Sequence, residues 1–150
     1  MSNQALFNKF KNLPFGTQLF SKAVCFIAPY FSSIKPHVQE LEAKKCVVKL
    51  KKRRAVTNHI GTVHAIAMCN MAELAGGLMT DVSIPKGARW IPAGMSVKYL
   101  KKAKSNLTAV ADGSQLDWCT AGTKQVPVSV TDEQGVEVFS ALIDMDVKLS

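Results

Sequence analysis

The chain has 150 residues, 47% hydrophobic and 20% charged, a composition that suits one folded domain with its own core and excludes a disordered or fibrous chain. Its net charge of +8 permits an anionic membrane, nucleic acid or a polyphosphorylated small ligand as partner, without choosing among them. No apolar run approaches the ~20 residues that cross a bilayer, so no integral membrane segment is expected, and the cytoplasm is the expected compartment.

In chain order, Asn3 to Lys11 reads as a short helix that stops before Pro14. Phe20, Val24, Ile27, Phe31 and Ile34 recur at steps of three and four, which predicts one or two amphipathic helices over 15–34, kinked at Pro29. Residues 1–35 thus form a helical extension expected to pack on the main domain, residues 36–150. Covering a binding mouth and lying on a membrane surface are the open alternatives.

Residues 46–51 (CVVKLK) predict a strand that runs into the basic stretch Lys51, Lys52, Arg53 and Arg54. A polar loop follows, with Asn58, His59, Gly61, Thr62 and His64. A helix is then predicted from Thr62 to Met79, apolar on nearly every side and expected to loosen at Gly76 and Gly77. Only Asn70 and Glu73 interrupt its apolar surface. Burying a bare carboxylate costs several kcal/mol or more, so Glu73 is expected to have a partner or a raised pKa. Asn70 is read as a hydrogen-bond partner to a neighbouring helix or sheet.

Asp81 to Pro92 is expected to be irregular, and the rest to be strands. Ser96–Lys101 and Leu107–Asp112 flank a turn-like Lys104-Ser105-Asn106. Gln125–Thr131 and Val136–Lys148 flank Asp132-Glu133-Gln134-Gly135, a hairpin signal. Ala141, Ile143, Met145 and Val147 alternate with Leu142, Asp144, Asp146 and Lys148, giving one buried and one mostly wet face. Pro127 predicts an edge or a bulge in its strand. The four cysteines (Cys25, Cys46, Cys69, Cys119) lack ligand spacing and are expected to be reduced, semi-buried hydrophobes, with no metal and no cofactor. One long buried helix followed by antiparallel strands is an α+β plan in which the sheet curls around the helix.

That plan resembles the hot-dog fold. The segment Asn58, Gly61, Thr62 and His64, with Glu73 fifteen positions after Asn58, resembles the signature of hot-dog acyl-CoA thioesterases of the PaaI-like type. The segment 97–111 is similar to that family's strand–turn–strand, and the likeness covers roughly residues 46–148. Two glycines that follow the His in the family are Ala65 and Ile66 here, and the acid is Glu where many relatives carry Asp. An uncharacterised subfamily is the expected placement.

The resemblance implies hydrolysis of an acyl-CoA thioester at a site that straddles a homodimer or a dimer of dimers. The Ala65 N–H would polarise the thioester carbonyl. Glu73 would act as general base or nucleophile, and Asn58 would orient water or the acyl group beside it. His64 would shape the helix entrance, with Gly61 and Thr62 beside the substrate. Arg53, Arg54, Lys101 and Lys102 would meet the phosphates of coenzyme A, although a solvated edge explains those charges equally well.

Two further readings stay in view. A hot-dog dehydratase needs a His and acid pattern that the sequence lacks. An acyl-CoA or lipid binder would use Glu73 and Asn58 only to orient its ligand. No nucleic-acid partner is expected, because Tyr99 is the only ring beside the 97–104 basic cluster.

Overall fold

A computed structural model describes residues 2–150. Helix α1 (Asn3–Lys11) and helix α2 (Gly16–Ile27) lead through a 3-10 turn (Pro29–Ile34) into strands β1 (His37–Glu42) and β2 (Lys45–Leu50). The central helix α3 (Ala65–Ser83) precedes β3 (Arg89–Tyr99), β4 (Leu107–Asp112), β5 (Gly122–Thr131) and β6 (Glu137–Lys148). All pairings are antiparallel, in the order β1-β2-β4-β5-β6-β3.

Helix α3 touches all six strands. Six strands laid flat span about 24 Å, roughly twice the width of a helix with its side chains. The sheet must therefore curl around α3, and this is the hot-dog fold. Met71, Ala72, Ala75 and Met79 on the helix meet Ala109, Ala111, Val126, Val130, Phe139, Ile143 and Met145 on the sheet, in a core closed to water. In β6 the predicted alternation holds, with Ala141, Ile143, Met145 and Val147 buried.

The N-terminal helices complete this core. Phe7 and Phe20 meet edge to face at 5.1 Å, and both belong with Val24 and Ile34 to the same buried cluster as α3. Ser21 Oγ accepts the Val38 N–H at 2.8 Å and donates to the Thr17 carbonyl at 2.7 Å, fastening α2 to the outer strand β1.

Several expectations are corrected. Strand β1 was missed, because His37-Val38-Gln39-Glu40-Leu41-Glu42 alternates poorly and a bulge lies between Val38 and Glu40. Gly76 and Gly77 do not loosen α3, which continues to Ser83. They let it pack closely, since a Cβ on Gly77 would come within 2.8 Å of Trp90 Cη2. Strand β3 begins at Arg89 and absorbs Pro92, with a register shift between Pro92 and Gly94; it is an edge strand, where a missing N–H is tolerated. The turn-like Lys104-Ser105-Asn106 segment joins two strands that do not pair with each other, for β3 pairs with β6 while β4 pairs with β2 and β5. Pro127 lies in the interior strand β5, but β4 pairs only as far as Val128, so Pro127 has the open side its sequence predicted. Cys46 is buried and Cys25 and Cys69 partly so, whereas Cys119 is exposed rather than semi-buried.

Candidate active site

The loop before α3 is held by its own polar groups. Gly61 has φ +76°, a left-handed backbone that glycine adopts without strain. Asn58 Oδ1 accepts from the Ile60 N–H at 3.2 Å and the Thr62 N–H at 3.1 Å, and its Nδ2 donates to Thr62 Oγ1 at 2.9 Å. The Asn-x-x-Gly-Thr spacing is therefore an Asx-type turn. Thr62 is buried and Asn58 half-buried.

His64 is the N-cap of α3. Its Nδ1 accepts the Ile66 N–H at 3.1 Å, which puts the proton of the neutral ring on Nε2. Its carbonyl takes the N–H groups of Ala67 (3.0 Å) and Met68 (3.2 Å), and its own N–H reaches the Val56 carbonyl at 2.8 Å. The N–H of Ala65 is left without a partner among the described residues. It stands at the positive end of a 19-residue helix, where an accepting oxygen is favoured.

Ala65 opens on a cleft of about 370 Å³, walled by Asn58, Thr62, Met68 and Tyr99, with Lys101 and Lys102 among its lining residues. Tyr99 was not among the sequence candidates. It ends β3 directly before Leu100 and the lysine pair, and its hydroxyl lies 3.7 Å from Cys69 Sγ. That hydrogen bond, with a smaller contribution from burial, holds the Tyr99 hydroxyl above the usual phenol range. Arg53 and Arg54 lie outside the cleft lining. Arg53 donates to the Ser33 carbonyl at 2.7 Å, and Arg54 is exposed. Gly61 and His59 are exposed on the loop.

Glu73 corrects the expectation of a buried carboxylate. It is exposed, and among the described residues it has neither ion pair nor hydrogen bond. The reason is tertiary: Ile66, Cys69 and Glu73, at steps of three and four, form a face of α3 that neither the sheet nor the N-terminal helices fully cover. The buried polar side chains of this helix are Thr80, which donates to the Gly76 carbonyl at 2.8 Å, and Asn70, whose Nδ2 donates to Ser33 Oγ at 3.1 Å while its Oδ1 has no partner among the described residues.

Glu73 instead borders a second groove, of about 250 Å³, between α2 and α3, walled by Val24, Ile27, Phe31, Leu74 and Trp90. Asp81 also borders it, accepting from Asn3 Nδ2 at 2.8 Å and Trp90 Nε1 at 3.3 Å. Eight residues of helix, about 12 Å, separate Glu73 from Ala65 along the axis. A single chain thus brings Asn58, Thr62, Ala65, Lys101 and Lys102 together but leaves Glu73 on a different surface.

Among solved structures, the genomics target APC5556 is 47% identical over 99% of both chains, with a TM-score of 0.90. A Pseudomonas aeruginosa protein of unknown function, a probable thioesterase, matches at 18% identity over 91% of this chain and 96% of its own, with a TM-score of 0.72. A Haemophilus influenzae thioesterase matches at 13% identity over 93% and 94%, with a TM-score of 0.76. At 18% and 13% identity these two likenesses speak for the shared fold. No curated protein matches the sequence significantly. The family described as a domain of unknown function, DUF4442, matches residues 16–147, and the chain belongs to that family.

Proposed function

We propose that the protein hydrolyses acyl-CoA thioesters at a site completed by a second copy of the chain. The observation that carries this reading is the unpartnered N–H of Ala65 at the positive end of α3, a residue that lines a cleft together with two lysines. A thioester carbonyl accepting from that N–H would be polarised toward attack, and the N–H would meet the oxyanion as it forms. Lys101 and Lys102 would pair with the phosphates of coenzyme A as point charges.

Glu73, from the partner, would take a proton from water as the water oxygen bonds to the carbonyl carbon. The carbon–sulfur bond then breaks and Glu73 returns its proton to the departing sulfur, releasing coenzyme A as the thiol. Direct attack by Glu73 on the carbonyl carbon, with loss of the coenzyme A thiolate, would give a mixed anhydride for water to cleave. Two features favour assembly from two chains. Among the described residues of its own chain Glu73 has no ion-pair or hydrogen-bond partner. Edge strand β3 offers eleven residues, nine of them exposed, for pairing along the side of the sheet.

Thioesterase is also the activity named for the Pseudomonas and Haemophilus proteins of the same fold. The test is incubation with a panel of acyl-CoAs and a thiol reagent, with wild type and Glu73→Gln compared. Release of free coenzyme A that depends on Glu73 supports hydrolysis. The second reading, an acyl-CoA binder, is favoured by the solvent-open position of Glu73. Tight acyl-CoA binding with no release, unchanged by Glu73→Ala, would establish the binder and remove the enzyme.

A further inference from the structure

Large hydrophobic side chains left exposed are concentrated in one place. Leu13, Phe15, Leu19, Phe26, Ile27 and Tyr30, six of the fourteen among the described residues, fall within a single eighteen-residue stretch. Helix α2 turns Phe20, Ser21 and Val24 into the core. Its opposite face carries Leu19, Lys22 and Phe26, at steps of three and four; exposed Phe15 stands directly before the helix and exposed Tyr30 in the 3-10 turn after it. Phe26 is 89% exposed, Phe15 77% and Tyr30 73%. Folding needs only one apolar face of such a helix. Phe15 also has φ 56°, in the left-handed region that a bulky residue rarely adopts. A ring held outward at such a backbone position is not explained by packing within the chain.

Charge narrows the choice of what covers this face. No Asp or Glu precedes Glu40, whereas Lys9, Lys11, Lys22 and Lys35 are all exposed. Residues 1–39 thus carry four positive charges and no negative ones. A second copy bound isologously would set lysine against lysine across the same face. A surface that is apolar below and anionic at its rim suits both features at once: rings and aliphatic chains enter it while lysines stay at the charged level.

We propose that the exposed face of α2, with Phe15 and Tyr30 at its ends, docks on an anionic phospholipid bilayer. The helix lies in the interfacial plane, since no helix of the described residues is long and apolar enough to cross a membrane. The docked helix is the same one that walls the groove beside Glu73 with Val24 and Ile27, so docking sets that groove close to the lipid.

The test is cosedimentation of the full chain with vesicles of phosphatidylcholine mixed with phosphatidylglycerol, and with vesicles of phosphatidylcholine alone, at low and raised salt. Binding is expected only to the mixed vesicles and should weaken as salt rises. Leu19→Ser combined with Phe26→Ser should lower it about tenfold or more, with circular dichroism and turnover of a soluble short-chain acyl-CoA unchanged. Lys22→Glu should weaken binding in the same direction. Absence of pelleting with mixed vesicles, or equal pelleting of the double serine variant, overturns the proposal. So does light scattering in which the double variant turns a wild-type dimer into a monomer, which assigns the face to self-association. Because turnover is read on a soluble substrate, loss of docking and loss of hydrolysis remain separate results.

Discussion

Gly77 of α3 lies so close to the Trp90 ring of β3 that a Cβ would come within 2.8 Å of Cη2. This contact sets the central helix against the edge strand and forms one wall of the groove beside Glu73. Gly77→Ala gains about 1 kcal/mol of helix propensity but must displace a stiff ring, an overpacking cost of roughly 1–3 kcal/mol. A net loss of stability is expected, with Gly77→Val worse. At Gly76 a Cβ would come within 3.0 Å of Ile143 Cδ1, the tip of a flexible side chain, so Gly76→Ala should be milder. Urea denaturation of the three variants checks the order.

Ser21 is 4% exposed and supplies the acceptor for the N–H of Val38, itself fully buried. Ser21→Ala leaves that N–H unpaired, at a cost of about 1–3 kcal/mol. The expected readout is a lower denaturant midpoint together with faster hydrogen exchange at Val38, localised to β1.

Glu73→Gln should leave stability within about 0.5 kcal/mol of wild type, because an exposed side chain without a partner contributes little. If Glu73 is the base, hydrolysis falls by ~100-fold or more in the same variant. Denaturation and acyl-CoA turnover measured side by side separate a catalytic role from a structural one.

His37 ties pH to stability. Partial burial, and then the charge of Lys49 across the β1–β2 pair, hold its ring below the ordinary value of 6.5. Its Nε2 lies 2.8 Å from Thr17 Oγ1. Above pH 6.5 the ring is neutral in folded and unfolded chains alike, and its contribution is fully present. As pH falls below that value the unfolded chain binds the proton first, so stability declines until the folded ring also titrates. His37→Gln should flatten this part of the profile. Unfolding free energies measured from about pH 8 to about pH 5 test it.

The sequence alone determined the elements whose pattern is local. The helix over 3–11, the kink at Pro29, the Asp132–Gly135 hairpin and the alternation along β6 follow from residue periods and turn chemistry, which act within a few residues. The Asn58, Gly61, Thr62 and His64 spacing likewise encodes its own loop, since the bonds it makes are to its own neighbours. Tertiary structure decided the rest. Strand β1 exists because β2 and Ser21 pair with it, not because its residues alternate. Gly76 and Gly77 read as breakers until Ile143 and Trp90 are seen against them. Glu73 reads as buried because its helix is apolar all round. It is exposed because a curled sheet and a short helical cover leave one face of that helix open, and coverage by distant segments leaves no trace in local spacing.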